Sequence, residues 1–223
     1  MSKFIDLSHV IKDGMVTYQG LPAPKIQDHL SREDSKPHYA GSTSFQIGKI
    51  EMVANTGTYI DAPFHRYQEG QDLSQLNLAA VANLDGLVIH APPNSRKIDP
   101  DIFNGSDVKG KAVLIHTGWD RHWGTAAYFN DHPFLTRDSA EYLKSEGSKL
   151  VAIDSLNIDD NTDGTRPAHT ILLCGGIPIV EHMCNLDLLP HNEFKFFAVP
   201  APVKGMGSFP VRAFAVIEQS FAP

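Results

Sequence analysis

The sequence predicts an α/β domain built on a mixed, strand-rich sheet. Three observations carry that expectation. Apolar runs of four to seven residues recur along the chain, only a few segments carry helix signals, and Gly and Pro punctuate the joins. A hydrophobic fraction of 42% and a charged fraction of 20% suit a soluble globular chain of 223 residues. No repeat, charge block or low-complexity linker divides the span 1–223, so it reads as a single domain.

In chain order, residues 4–7 and 44–53 alternate apolar and polar side chains and are predicted strands. Between them, residues 14–25 carry Gly20, Pro22 and Pro24, and residues 31–44 are polar. That stretch is expected to be irregular and to lean on other parts of the fold or on another subunit. Residues 55–65 contain Gly57 and Pro63, which predicts a tight loop after a strand. Residues 73–81 read as a short helix with Asp72 or Ser74 as its N-cap. Residues 84–90 and 112–116 are short apolar runs suited to buried strands. A helix is expected over 136–146, opening on Thr136 and closing at Gly147. Residues 150–153 form a further buried strand that ends in Asp154 and Ser155. Apolar runs at 169–173 and 177–181 flank Cys174, Gly175 and Gly176, and residues 194–200 and 211–218 complete the pattern as strands.

Charge and composition exclude several classes. A formal charge of -7 argues against a nucleic-acid backbone as the main partner. No apolar run approaches the roughly 18–20 residues that cross a bilayer, and the opening residues lack a signal peptide's apolar stretch. Cys174 and Cys184 are too few for a disulfide framework; both sit in apolar surroundings and are expected to be small buried residues. The expected setting is the cytoplasm and the expected partner a small molecule, with neither nucleic acid nor membrane. No Gly-x-Ser-x-Gly elbow points to a serine hydrolase. Phosphate-binding loops are also missing.

The densest chemistry lies between Asn55 and Arg66. Gly57 permits a turn that other residues resist, and Pro63 stiffens the chain after it and favours an extended Ala62. Asn55, Tyr59, Asp61 and His65 could then project into one cavity. On pattern alone, the same residues also make an ordinary β-turn, with Asp61 accepting backbone amides and His65 on the surface. Further along, Thr117, Trp119, Arg121, His122 and Trp123 form either a substrate-facing wall or an ordinary hydrophobic loop. Phe64 either lines the cavity or packs beneath it.

The residues Gly57, Thr58, Asp61, Pro63 and His65 match in register the motif His-x-Gly-Thr-His-x-Asp-x-Pro-x-His. The chain here resembles the cyclase-like metal-dependent hydrolases, which include bacterial kynurenine formamidase and isatin hydrolase. Asn55 and Tyr59 stand where the motif has its two leading histidines. The resemblance continues through Ile5 to His9, Asp154 and Ser155, Pro167 to His169, Gly176 to Glu181 and Pro210 to Arg212. It implies a swivelling β/β/α type of fold and a homodimer or homotetramer. It also implies a divalent metal, zinc or manganese, held by Asp61, His169 and Glu181, with His65 transferring protons. Such a metal lowers the pKa of bound water from ~15.7 towards ~7, and an imidazole of pKa ~6.5 can then move a proton.

Within that resemblance, Tyr59 would steady a developing oxyanion, and Asn55, Phe64 and Trp119 would contact substrate. The implied activity is hydrolysis of a small amide, lactam or lactone. Asn55 is a weak metal ligand and Tyr59 must shed a proton to become one. A metal-free acid/base enzyme and a non-catalytic binder therefore stand beside the metal-dependent hydrolase.

Overall fold

Parallel strands form the centre of the computed structural model, which describes residues 2–218. The strands of its first half are β1 (Ser2–Asp6), β2 (Lys25–Leu30), β3 (Ile47–Glu51), β4 (Tyr59–Asp61), β5 (Leu84–His90), β6 (Lys97–Ile98) and β7 (Ala112–His116). Those of the second half are β8 (Phe134–Leu135), β9 (Leu150–Ile153), β10 (Ile179–Glu181), β11 (Lys195–Phe197), β12 (Ser208–Pro210) and β13 (Phe214–Glu218). The helices are α1 (Arg32–Ser35), α2 (Arg137–Ser145) and α3 (Pro167–Cys174).

Nine strands join one mixed sheet in the order β1-β13-β11-β5-β7-β9-β10-β4-β12. β5, β7, β9 and β10 run parallel, and antiparallel strands continue the sheet from β5 on one side and β10 on the other. β9 is buried at every residue, as a parallel strand covered on both faces must be. Its side chains still alternate. Val151 and Ile153 pack with Val113, Ile115 and the helix residues Leu143, Ala168 and Leu172. Leu150 and Ala152 face the opposite core, with Leu114, Val180, Leu7 and Phe196.

β5, β7 and β9 occupy the predicted spans, because length and apolar content identify a buried strand well. α2 also lies where expected, with Thr136 as N-cap accepting from the Ser139 amide. Residues 169–173 turn out to lie inside α3. Pro167 opens that helix, and its buried residues surround most of its circumference, which leaves no amphipathic stripe in the sequence. Residues 73–81 contain only a 3₁₀ turn, Leu78–Ala80. Asp72 there accepts from Ser74 and the Gly205 amide, tying the segment to a distant loop. The stretch 14–44 is more ordered than expected, since it supplies β2 and α1. Cys174 is exposed at the end of α3, correcting the buried expectation, whereas Cys184 is buried. Among the described residues, no helix is long and apolar enough to cross a membrane.

Candidate metal centre and active site

β4 lies between β10 and β12, and this arrangement builds the floor of the site. Tyr59 pairs with Glu181 and Asp61 with Ser208, so the four residues share one face of the sheet. Asp61 and Glu181 are both 0% exposed. An isolated buried carboxylate is strongly unfavourable, so each requires partners. Tyr59 donates its hydroxyl hydrogen to Glu181 Oε2, and the Ile158 amide donates to Oε1 at 2.7 Å. Ser208 donates its hydroxyl to Asp61 Oδ1. Asp61 Oδ2 is buried and, among the described residues, has no hydrogen-bond partner.

The loop geometry reflects the local sequence. Gly57 takes φ +66° in the left-handed region, and Ala62 is extended before Pro63. Pro63 then starts a 3₁₀ turn, and the His65 amide bonds back to Ala62 O at 2.8 Å. The chain before β12 passes so close that a Cβ on Gly207 would sit 2.3 Å from the His65 nitrogen. Only glycine allows that approach. His65 remains partly exposed, with Nδ1 2.8 Å from Ser208 Oγ.

α3 brings His169 in from the other side. Asp159 accepts from the Ala168 and His169 amides at 2.6 and 3.0 Å, capping the helix that Arg166 cannot cap. The same carboxylate lies 2.6 Å from His169 Nδ1, which fixes the ring and leaves Nε2 directed at the floor. His169 Nε2 is 3.5 Å from Asp61 Oδ2 and 3.7 Å from Glu181 Oε1. Sequence reasoning missed Asp159. Its signal was an acidic residue shortly before a proline-initiated helix.

These contacts set the protonation states. Burial opposes ionisation of Asp61, but the facing His169 Nε2, the positive fields of His65 and His169 and the Ser208 hydroxyl hold its carboxyl below the usual range. Burial pushes Glu181 up to about 7 against the field of His169. Burial also works against a charged His169, yet Glu181, Asp159 and Asp61 together raise it to about 10. Tyr59 is lifted well above 10 by burial and by the Glu181 and Asp61 charges, so it stays a phenol. The site thus draws positive charge to the point where Asp61, Glu181 and His169 converge. A divalent cation would fit that demand: Asp61 and His169 would hold it, and His169 Nε2 would have to give up its proton to do so. Ligand atoms of Asp61, His65 and His169 all lie within 4.8 Å of one another.

Above this floor opens a cavity of about 440 Å³, lined by Asn55, Tyr59, His65, Asn157, Arg166 and His169 among others. Asn55, Tyr59 and His65 therefore meet there, whereas Asp61 is not among the lining residues, and Tyr59 and Asp61 lie on β4 instead of in the expected loop. Phe64 and Trp119 are not among its lining residues. Phe64 sits in the turn behind His65. The Trp119 indole donates to Tyr128 O at 3.0 Å and lines a second cavity, near His90 and His116. Beneath Tyr59 lies His182, fully buried, bonded to Tyr128 and depressed to about 3 by burial.

A sheet-borne pair of buried carboxylates, an oriented imidazole and an exposed second imidazole make up a candidate metal centre. The chain belongs to the Cyclase family, whose model matches residues 5–160. That span contains Asp61 and His65 but ends before His169 and Glu181. Similar proteins run the full length. Kynurenine formamidase of Geobacillus thermodenitrificans (strain NG80-2) is 35% identical over 96% of this chain and 97% of its own. Kynurenine formamidase of Bacillus cereus (strain ZK / E33L) is 28% identical over 95% and 96%. Among solved structures, isatin hydrolase A from Labrenzia aggregata bound to benzyl benzoate superposes with a TM-score of 0.83 at 19% identity, covering 98% of this chain and 94% of that one. A potential metal-dependent hydrolase with cyclase activity gives 0.80 at 23%, covering 98% and 100%.

Proposed function

We propose that the chain is a metal-dependent hydrolase of a small amide, lactam or lactone, of the arylformamidase kind. The observation that carries this reading is the orphaned Asp61 Oδ2, buried beside His169 Nε2 and Glu181 on the cavity floor. The full-length likeness to proteins named kynurenine formamidase supports the choice of bond. Asp61, His169 and Glu181 would hold zinc or manganese, ions that mixed carboxylate and imidazole donors suit. When bound, the metal supplies Lewis acidity that polarises a carbonyl and acidifies water.

The remaining steps belong to the chain. Ser208 gives its only hydrogen to Asp61, so its oxygen accepts from His65 Nδ1. Neutral His65 therefore carries its proton on Nδ1 and leaves Nε2 basic. From the cavity wall it takes a proton from the attacking water and returns it to the leaving nitrogen or oxygen. Tyr59 remains a phenol and anchors Glu181; with Glu181 engaged by a cation, its hydroxyl is free to steady the developing oxyanion. Asn55 borders the substrate space. The same reading takes residues 1–223 as one hydrolase domain of the swivelling β/β/α type, working as a homodimer or homotetramer.

Metal analysis coupled to a screen of formamides, lactams and lactones tests this reading. Stoichiometric zinc or manganese is expected, with turnover that falls on chelation and returns on re-addition. Protein lacking stoichiometric metal, and gaining no activity from added zinc or manganese, would exclude it. Turnover that survives chelation would instead support a metal-free acid/base enzyme.

A further inference from the structure

Arg166 lines the same cavity as His65 and His169. Its guanidinium donates from Nη1 to Asn157 Oδ1 at 3.1 Å and to Asn161 Oδ1 at 2.7 Å. Both partners are neutral amides, which orient the group and leave its charge uncompensated. Three aspartates share its loop, and each is committed elsewhere. Asp159 serves His169 and the start of α3; Asp160 pairs with Arg96 and Thr162; Asp163 accepts from Thr165. Among the described residues, Arg166 makes no ion pair.

The backbone adds a second observation. Arg166 adopts φ 47°, ψ 61°, a left-handed conformation that a side-chain-bearing residue seldom takes. Its amide bonds to Asp163 O at 3.2 Å, and its carbonyl accepts from Thr170 at 2.9 Å, so both neighbours hold the strained geometry. Glycine would relieve the strain but supply no guanidinium. Strain kept at a cavity wall, under an unpaired cation, marks a functional position. Asn157 links this cation to the reaction centre, since its Nδ2 donates to Glu181 Oε2 at 3.4 Å.

We propose that Arg166 anchors a carboxylate of the substrate, so that the cavity selects small amides bearing an anionic group away from the bond that is cut. A planar carboxylate matches the two-donor edge of a guanidinium, which lysine or a neutral amide cannot reproduce. This inference rests on the amide-hydrolase reading for its substrate, though not for its anion site.

The test compares 3-(3-formamidophenyl)propanoate with its primary carboxamide, an uncharged near-isostere, on the metal-loaded enzyme. Wild type should favour the carboxylate by at least about tenfold in kcat/KM, chiefly through KM. Arg166→Gln should erase that preference, lowering kcat/KM for the carboxylate at least about tenfold more than for the carboxamide. Arg166→Gly should do the same while matching or exceeding the wild-type melting temperature, because glycine accepts the left-handed backbone; this separates lost anchoring from lost folding. Calorimetric titration of 3-phenylpropanoate supplies a readout free of turnover, and both variants should weaken it at least about tenfold. Equal use of the two substrates by wild type, or equal losses on both in the variants, overturns the proposal. If wild type hydrolyses neither, the amide-hydrolase reading fails and the titration alone decides: weakened binding in both variants upholds the anion anchor, and unchanged binding overturns it.

Discussion

The cavity floor and the β2–β3 ribbon are both small antiparallel pairings, yet they are built on opposite principles. Where β4 meets β10, every residue is buried, including two carboxylates and a tyrosine. Where β2 meets β3, no residue is buried, and Ile26, Ile47 and Ile50 are 44%, 50% and 47% exposed. The floor accepts the cost of burying charge and recovers part of it in oriented hydrogen bonds. The ribbon leaves apolar surface in water and gains little from this chain's own core. A two-stranded ribbon alone is marginal in water. Chemistry inside the chain explains the first region; for the second, we propose contacts with another copy of the chain.

The largest effect should come from the floor. His65→Ala is expected to lower turnover about 10²–10⁴-fold, the usual range for a positioned acid or base. Its melting temperature should barely move, because the ring is partly exposed and only Ser208 loses a hydrogen-bond partner. Metal content separates two roles within the Asp61, His65 and His169 group. A proton-transfer residue leaves stoichiometric metal in the variant, whereas a ligand would take metal with it. Unchanged turnover would end the case for His65 in the chemistry.

A smaller effect tests whether the parallel centre has the low polarity that its burial implies. Asp154 comes directly after β9 and accepts hydrogen bonds from Thr117 and Gly118, yet burial pushes it up to about 7. Its folded pKa lies above the ordinary carboxylate value, so the folded state holds the proton more tightly. Its stabilising contribution is therefore complete below about pH 4 and disappears as pH rises through about 7. In paired urea titrations, wild-type stability relative to Asp154→Asn should fall by up to about 1.4 kcal/mol per pH unit across that window and level off above it. A difference that ignores pH would mean that Asp154 ionises normally.

These two regions also divide what the sequence reveals. β5, β7 and β9 were legible because burial on both faces demands continuous apolar runs. Asp61 and His65 were legible only through the motif they share with Gly57, Thr58 and Pro63, since the pattern alone also allowed an ordinary β-turn. α3 was hidden for the reason β9 was clear: a helix buried nearly all round has no stripe to betray its period. Asp159 and Arg166 were hidden too, since their meaning depends on which partners the fold gives them. Three aspartates near an arginine suggest salt bridges until the geometry sends each one elsewhere. The β2 strand, with Lys25, Gln27, Asp28 and His29, carries the polarity of a loop.

The smallest change in stability, and the sharpest test of the contrast, belongs to the ribbon. Ile26 and Ile50 lie directly opposite each other on β2 and β3, so their side chains form one apolar patch. We expect the double variant Ile26→Lys, Ile50→Lys to shift the particle mass from dimer or tetramer towards monomer by light scattering. Exposed substitutions usually change stability by within about 0.5 kcal/mol, so under dilute conditions, where wild type too would dissociate, the two proteins should melt alike. Two lysines placed opposite each other repel, but at such exposure water and salt screen the charge and β2–β3 pairing should persist. An unchanged mass would remove the ribbon from the interface and leave its exposed isoleucines without an explanation. A lower mass with unchanged melting would show that this patch is kept for a partner subunit and not for the fold.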